Sequence, residues 1–465
     1  MKTLLLRALI LPVLLVLPAR LLAQAGSVDS SFNPALNSGA QVYAVTVQTN
    51  GQILIGGTFT SVGGVGVTNV ARLNPNGTLD ATFNPGAAAN GNGSYVTAIA
   101  VQPDGKVLIG GLFFSTTGAT PANLARLNPN GTVDSSFDYD LYVGGNVNAL
   151  AIQSDGKILL GGGFVAVDGL VRRSVARLHT NGTLDTNFDA CIAFSPGNGA
   201  SALALRDDGR ILMSGNFTFS TGTNRNGIAL LGTNGDLDHA YFPEPGVNSN
   251  SYAWTLARRS SGEVLLAGDF KTYHGLSRSG IVQLATNGTP DVSFDPGSGI
   301  NDGATNFALV IQRDGKVLVG GDFGSYNGQT KSGVARVNPN GTLDPAFDVG
   351  AGANAPAAAI ALQEDGKVLV VGRFSSFNTV PRNGVVRLKG DPAPARLDPT
   401  GWVAGGQFQL TFFGEYQAHY AIERSSNLVD WVSMTNLTAS SNSVPILDPQ
   451  TSPVPKQFYR ALLLP

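Results

Sequence analysis

Four polar residues stand at one recurring place in this sequence, and their types could do chemistry: Asn216, Asp269, Asp322 and Arg373. Each follows the last glycine of a short repeated phrase, where three earlier copies carry Thr58, Leu112 and Gly163. Four polar groups in adjacent copies would form an arc, with two carboxylates able to meet a cation or sugar hydroxyls. The D-x-D-x-D-G spacing of a calcium loop is absent. No cofactor is therefore expected, and calcium is the one ion the pair could take. The plainer reading of all four is a solvated strand end.

No catalytic constellation stands beside them. General acid and base groups must converge on one substrate, and the non-repeated candidates Glu244, His239 and His274 have no spacing that brings them together. Neither a G-x-S-x-G elbow nor an H-E-x-x-H helix occurs, and the four histidines lack metal-ligand spacing. Cys191 is the only cysteine, so no disulfide can form within the chain. It is expected to be a small buried hydrophobe.

The elements that must position these residues come from one phrase written seven times. A hairpin glycine recurs at Gly51, Gly105, Gly156, Gly209, Gly262, Gly315 and Gly366, in steps of 54, 51, 53, 53, 53 and 51 residues. Such a period marks a repeat architecture. In the second copy, Val96–Gln102 and Lys106–Ile109 flank Pro103-Asp104-Gly105, and Asn128-Pro129-Asn130-Gly131 repeats the device. Proline first and glycine at positive φ suit a type I turn closed by a bulge. Each unit is thus expected to hold two tight hairpins, hence four strands.

Val107-Leu108-Ile109 and Val368-Leu369-Val370 are apolar on both faces, so both faces must be covered by neighbouring sheets. The pairs Gly110-Gly111, Gly161-Gly162 and Gly320-Gly321 allow those sheets to approach closely. The ends of the repeat region choose between a solenoid and a ring. The region enters on Val28-Asp29-Ser30-Ser31-Phe32, a fourth strand without its first three, and leaves on Val385-Val386-Arg387-Leu388, a third strand without its fourth. The missing and surplus pieces match. An all-β, seven-bladed propeller over residues 26–390, closed by the N-terminal strand, is predicted. Residues 391–399 read as a linker, and 400–465, with the alternating Gln407–Phe412, as a small β-sandwich-like domain.

The phrases Leu-Asn-Pro-Asn-Gly-Thr-Leu-Asp-x-x-Phe and Gln-x-Asp-Gly-Lys-Val-Leu-Ile-Gly-Gly-x-Phe resemble the delta-60 repeat, a β-propeller repeat of exported bacterial proteins. The resemblance covers about residues 27 to 390 and implies a propeller in a surface or secreted protein, without an agreed activity. The tail resembles, more weakly, the fibronectin- or immunoglobulin-like β domains that end such proteins.

What every unit repeats is expected to be architectural. Asp80, Asp134, Asp185, Asp238, Asp291 and Asp344 precede an aromatic by three residues, and Arg72, Arg126, Arg177, Arg336 and Arg387 recur beside them. Turn hydrogen bonds and cross-strand pairs are their expected use, with the aromatics as wedges between sheets. Units four and five depart: Leu230 and Gln283 replace the arginine, and Ser261-Gly262-Glu263 replaces Asp-Gly-Lys. The connections 84–95, 189–200 and 242–251 vary, and loops of that kind on a rigid scaffold commonly carry binding groups. The face bearing them, around the channel mouth, is the expected binding face.

Residues 1–25 read as an export signal: Lys2 and Arg7, the apolar run Ala8–Leu17, then Ala23-Gln24-Ala25. Its removal leaves 27 basic against 32 acidic residues, a charge of -5 and no transmembrane segment. That balance argues against nucleic acid. The expected product is a secreted, extracellular, cell-surface or periplasmic monomer. It would serve as a non-catalytic binding or structural scaffold for a glycan, protein or envelope component. The alternative is a polysaccharide-acting hydrolase or lyase with its site at the channel mouth.

Overall fold

The computed structural model describes residues 24–464 except 87, 90–92, 114–122, 138–140, 195–198, 220–223, 242–245, 249–250, 301–306, 392–395, 404–406, 414–418, 439–442 and 450–456. Most of the segment read as an export signal, residues 392–395 of the linker, and Glu244 lie outside the described residues. No helix occurs among those described, and so none long and apolar enough to cross a membrane.

Each repeat forms one antiparallel sheet whose second strand lies between the first and third. In unit one these are Gln41–Val47, Ile53–Thr58 and Val70–Leu73. The hairpin between the first two turns as expected: the Gly51 N–H donates to the Gln48 carbonyl, and the Gln48 N–H to that of Gln52. Gly51 has φ +82°, a conformation that costs a residue with a Cβ about 1–2 kcal/mol. Between the second and third strands, five units insert a two-residue hairpin, such as Ser61–Val62 with Val65–Gly66. Unit four instead lengthens its strands to Ile211–Phe219 and Asn224–Leu231 and adds Ile192–Phe194.

The expected full fourth strand is reduced to a single bridge, such as Leu73 with Leu79 or Leu178 with Leu184. The repeated aspartate explains this. In unit one the Asp80 N–H donates to the Arg72 carbonyl, but the Asp80 carboxylate then takes the Thr82 N–H at 2.9 Å. A side chain that captures the backbone two residues on turns the chain out of the ladder.

The apolar cores lie between units. Leu54 and Val70 of unit one pack with Val96 and Val107 of unit two, and the same sharing recurs through each successive pair. Leu369, Val371 and Val385 of unit seven share a core with Val42, Ile53 and Ile55 of unit one. The first strands likewise touch in cyclic order: Gln41–Val47, Tyr95–Val101, Val147–Ile152, Ala200–Leu205, Ala253–Arg258, Ala308–Ile311, Ala357–Leu362 and back to Gln41–Val47. They therefore surround the axis. Two-sided apolar strands are covered because every sheet is sandwiched between two others.

Residues 27–32 take the fourth place in unit seven. Val28 bridges Leu388, the Asp29 N–H donates to the Arg387 carbonyl, and the Lys389 N–H donates to that of Ser27. Ala25, read as the last residue of the signal, is buried in the core of units six and seven.

The C-terminal residues form two three-stranded sheets. One orders Arg396–Trp402, Phe408–Phe413 and Ser443–Asp448; the other orders Val432–Thr438, His419–Ser425 and Phe458–Leu463. The first strand begins inside the stretch read as linker. Phe412 and Ile446 of one sheet meet Tyr420 and Ile422 of the other in a small core.

Candidate functional site

The two glycines ending the second strand do different work. A Cβ on Gly56 would meet Val96 Cγ1 of unit two at 2.6 Å, and one on Gly110 would meet Val147 Cγ1 of unit three at 2.7 Å. The first glycine thus admits the neighbouring sheet, as expected. The second faces its own sheet. A Cβ on Gly57, Gly111, Gly162, Gly215, Gly268 or Gly372 would overlap the carbonyl oxygen at the start of the paired first strand.

That crowding coincides with a β-bulge. The register slips between Val42 and Ala44, Val96 and Ala98, Val147 and Ala149, Ala200 and Ala202, Ala253 and Thr255, and Ala357 and Ala359. The extra residues are Tyr43, Thr97, Asn148, Ser201, Trp254 and Ala358; Phe307 holds the equivalent place in unit six. A bulge re-aims the side chain of its extra residue. The next position is alanine in six units and threonine in one, whereas the bulged position differs in every unit. The six bulged residues are half-buried and Phe307 is buried.

Aromatic rings gather at this end of the axis. Tyr43 and Tyr95 of adjacent units meet edge-on with centroids 6.1 Å apart, and Tyr252 and Trp254 lie 5.3 Å apart and 31° from parallel. The Tyr43 hydroxyl donates to Gln41 Oε1, and Asn146 Nδ2 donates to Asn148 Oδ1 at 2.8 Å. Thr97 Oγ1 donates to the Val147 carbonyl at 2.7 Å.

Of the four residues expected to form a polar arc, Asp269, Asp322 and Arg373 follow the second strands on this same face, while Asn216 lies within the lengthened strand of unit four. Arg373 is exposed and sets its guanidinium 5.5 Å from the centre of the Tyr43 ring, joining units seven and one. Half-buried Asp269 accepts the Tyr252 N–H, and Asp322 is exposed. Asn216 pairs in register with Asn226; its side chain lies outside the described residues. No group of three or more candidate metal ligands occurs among the described residues. His239 is exposed, and His274 sits at φ +51° in a two-residue hairpin. Cys191 is exposed rather than buried, because it occupies a turn at φ +50° whose N–H goes to the Asp189 carboxylate. The connections 84–95, 189–200 and 242–251 fall partly outside the described residues.

The repeated polar residues are tied up in the scaffold. Arg72 Nε lies 2.7 Å from the Asp80 carboxylate, Arg126 2.7 Å from Asp134, Arg177 2.9 Å from Asp185, and Arg336 2.8 Å from Asp344. Each guanidinium covers the following aromatic, as Arg72 does Phe83 at 4.7 Å. Several also reach the next unit's turn, as Arg72 does the Pro129 carbonyl at 2.6 Å. In unit seven, Arg387 finds Asp29 at 2.8 Å, Phe32 at 4.5 Å and the Pro75 carbonyl of unit one at 2.5 Å. Burial alone would raise the pKa of Asp134. Hydrogen bonds from Lys106, Ser136 and Arg126 outweigh it and hold the carboxyl below the usual range.

Units four and five repair their departures locally. In unit five, Gln283 Nε2 donates to Asp291, while Arg259 donates to Gln283 and to the Gly315 carbonyl of unit six. Burial lowers the pKa of Arg259. In unit four, Arg206, at the position Arg259 holds in unit five, donates to the Thr286 carbonyl of unit five at 3.0 Å, and Arg210 pairs with Asp238 at 2.6 Å as a lysine does in units two, three and six. These breaks in the repeat therefore serve packing. No motif marks the bulged residues, yet their signal is legible in the sequence: one variable column beside a nearly uniform alanine column.

No curated protein matches the chain. Among solved structures, a periplasmic gluconolactonase of Pseudomonas aeruginosa aligns over 85% of this chain and 99% of its own, at 13% identity and a TM-score of 0.30. A hypothetical protein from Leishmania major aligns over 57% and 94%, at 14% identity and a TM-score of 0.24. A protein described as a glycoside hydrolase aligns over 79% and 94%, at 13% identity and a TM-score of 0.25. Scores of this size carry no argument about activity. A family model matches residues 48–83, 102–137, 153–188, 206–241, 259–294, 312–347 and 363–391, more than half of the chain. Each match begins after the first strand and so leaves out the bulged column. The chain belongs to the family described as "Domain of unknown function (DUF5122) beta-propeller".

Proposed function

We propose that this protein is an exported, non-catalytic binding scaffold that takes its ligand at the loop-bearing end of the propeller axis. One observation carries the reading. The residues that vary between units, Tyr43, Thr97, Asn148, Ser201, Trp254 and Ala358, are the bulged ones, half-buried and standing outside the repeated family pattern. Repeated residues are committed to ion pairs and cores, so a selective surface must come from what is not repeated. Tyrosine and tryptophan suit such a surface, since their rings offer a large apolar face. Export rests on the composition of residues 1–25, and the ligand would be a glycan, protein or envelope component.

The test is a screen of residues 26–465 against immobilised glycans and peptides, repeated with Tyr43→Thr/Trp254→Thr and with Asp269→Ala/Asp322→Ala. Saturable binding without turnover, lost in the first variant, is the expected result. Binding retained in the Asp269→Ala/Asp322→Ala variant removes the carboxylates from the site. Binding indifferent to Tyr43 and Trp254, or hydrolysis of any screened glycan, would overturn the reading.

A further inference from the structure

The two aromatic pairs and the groups between them narrow the ligand class. We infer that this end of the axis binds an uncharged carbohydrate chain, stacked on Tyr43 and Tyr95 at one place and on Tyr252 and Trp254 at another. The inference rests on the binding reading above and names its ligand.

A pyranose ring presents C–H groups on its faces and hydroxyls around its edge. It therefore fits half-exposed aromatic faces flanked by short hydrogen-bonding side chains. Tyr43, Tyr95, Tyr252 and Trp254 are all half-buried, with Trp254 resting on the core of units five and six. Going round the axis, the rings fall in units one, two and five. Units three and four, between them, supply Asn146, Asn148 and Ser201, which are amides and a hydroxyl without charge. On the unit-seven side, Pro356 and Ala358 are small and the Arg373 guanidinium stands 5.5 Å from the centre of the Tyr43 ring, where it can donate to sugar hydroxyls. Platform, hydrogen-bonding edge and platform succeed one another as a chain of several sugars requires.

Charge argues against the other polymers. The chain carries a formal charge of -2, with the exposed Asp322 and the half-buried Asp269 close to the Tyr252–Trp254 pair in the order of units. The cation named at this end, Arg373, stands over Tyr43. An anionic glycan or nucleic acid needs a basic track, whereas Arg172, Arg278 and Lys331 on the connections between second and third strands lie 3.2, 3.7 and 3.5 Å from Asp189, Asp295 and Asp348. A peptide is the remaining rival and is an arm of the test.

The chain holds three tryptophans. In a Trp402→Phe/Trp431→Phe background, emission reports Trp254 alone. An array of neutral oligosaccharides, polyuronates and peptides identifies binders, which are then titrated. The expected result is a saturable change in Trp254 emission with a neutral oligosaccharide. Measured by titration calorimetry, which needs no tryptophan, Trp254→Ala and Tyr43→Ala should each weaken binding about tenfold or more, while Trp254→Phe and Tyr43→Phe keep most of it. Each variant's melting temperature is compared with the parent's, and the phenylalanine variants separate lost stacking from lost folding. No neutral oligosaccharide binding, or binding unchanged in both alanine variants, overturns the inference. If only a polyuronate or a peptide binds, and both alanine variants lose it, the carbohydrate class falls while the binding site stands. If whatever binds ignores both residues, the site falls too.

Discussion

Replacing Asp29 with alanine should damage this propeller as much as breaking a pair inside any unit, although Asp29 lies 358 residues from its partner. Asp29 accepts Arg387 Nε at 2.8 Å, the Ser31 N–H at 3.0 Å and the Ser31 hydroxyl at 2.6 Å. The two side chains are 8% and 7% exposed, so solvent cannot replace the lost carboxylate. Removing one partner of a buried pair leaves an uncompensated charge and costs about 3–5 kcal/mol. Arg387 retains the Pro75 carbonyl and the Phe32 ring, which places the expected loss near the lower end of that range. The control is Asp185→Ala, which breaks the equivalent contact with Arg177 inside unit three. Denaturant unfolding followed by tryptophan emission and circular dichroism compares the two. Similar losses are expected. An Asp29→Ala loss under about 1 kcal/mol beside a full Asp185→Ala loss would refute the view that the N-terminal segment completes unit seven.

Other consequences follow from the same contacts. Asp29, Asp80, Asp134, Asp185, Asp291 and Asp344 all titrate below the usual 3.8: burial opposes this, but their hydrogen bonds and ion pairs outweigh it. A depressed folded pKa adds stability that is complete above the unfolded value and lost as pH falls through the folded one. Melting temperature should therefore hold from pH 7 to about 4 and fall steeply below it; a curve without a steeper fall there would contradict the assignment. Gly268→Ala would drive a Cβ into the Tyr252 carbonyl and cost about 3 kcal/mol or more. Gly275→Ala, at φ +75° with open space, should cost about 1–2 kcal/mol, and equal losses would remove the steric argument. Arg259→Gln and Gln283→Arg should each destabilise, and together restore the arrangement of the other units. A double-mutant cycle should give a coupling of about 1–3 kcal/mol, and strict additivity would show that Arg259 does not stand in for the missing arginine.

Much of the architecture was legible because turn chemistry is local. The hairpin glycines, the first glycine of each pair and the Arg–Asp spacing all announce themselves in the residues. So did the unmatched ends, since Val28–Phe32 copies the phrase that unit seven lacks. The reduction of the fourth strand was not legible, because it depends on whether the Asp80 carboxylate or the ladder takes the next N–H. Nor was the bulge, which appears only when the second glycine is set opposite the first strand. The polar column lies one strand away from the bulged column, and residue type alone does not reveal the turn that exposes Cys191. The repairs in units four and five escaped notice because Arg259 sits at a glutamine position, 24 residues from the Gln283 it supports.

The repeated residues hold the units together, whereas the bulged residues vary and, apart from the buried Phe307, are half-buried beside that frame, with Trp254 resting on the core of units five and six. The melting temperature of the Tyr43→Thr/Trp254→Thr variant tests this division most directly, since Thr97 already occupies the same place in unit two. Both side chains are half-buried, and the account predicts a midpoint within about 2 °C of the parent. A fall as large as that of Asp29→Ala would contradict it, because the varied column would then be part of the frame.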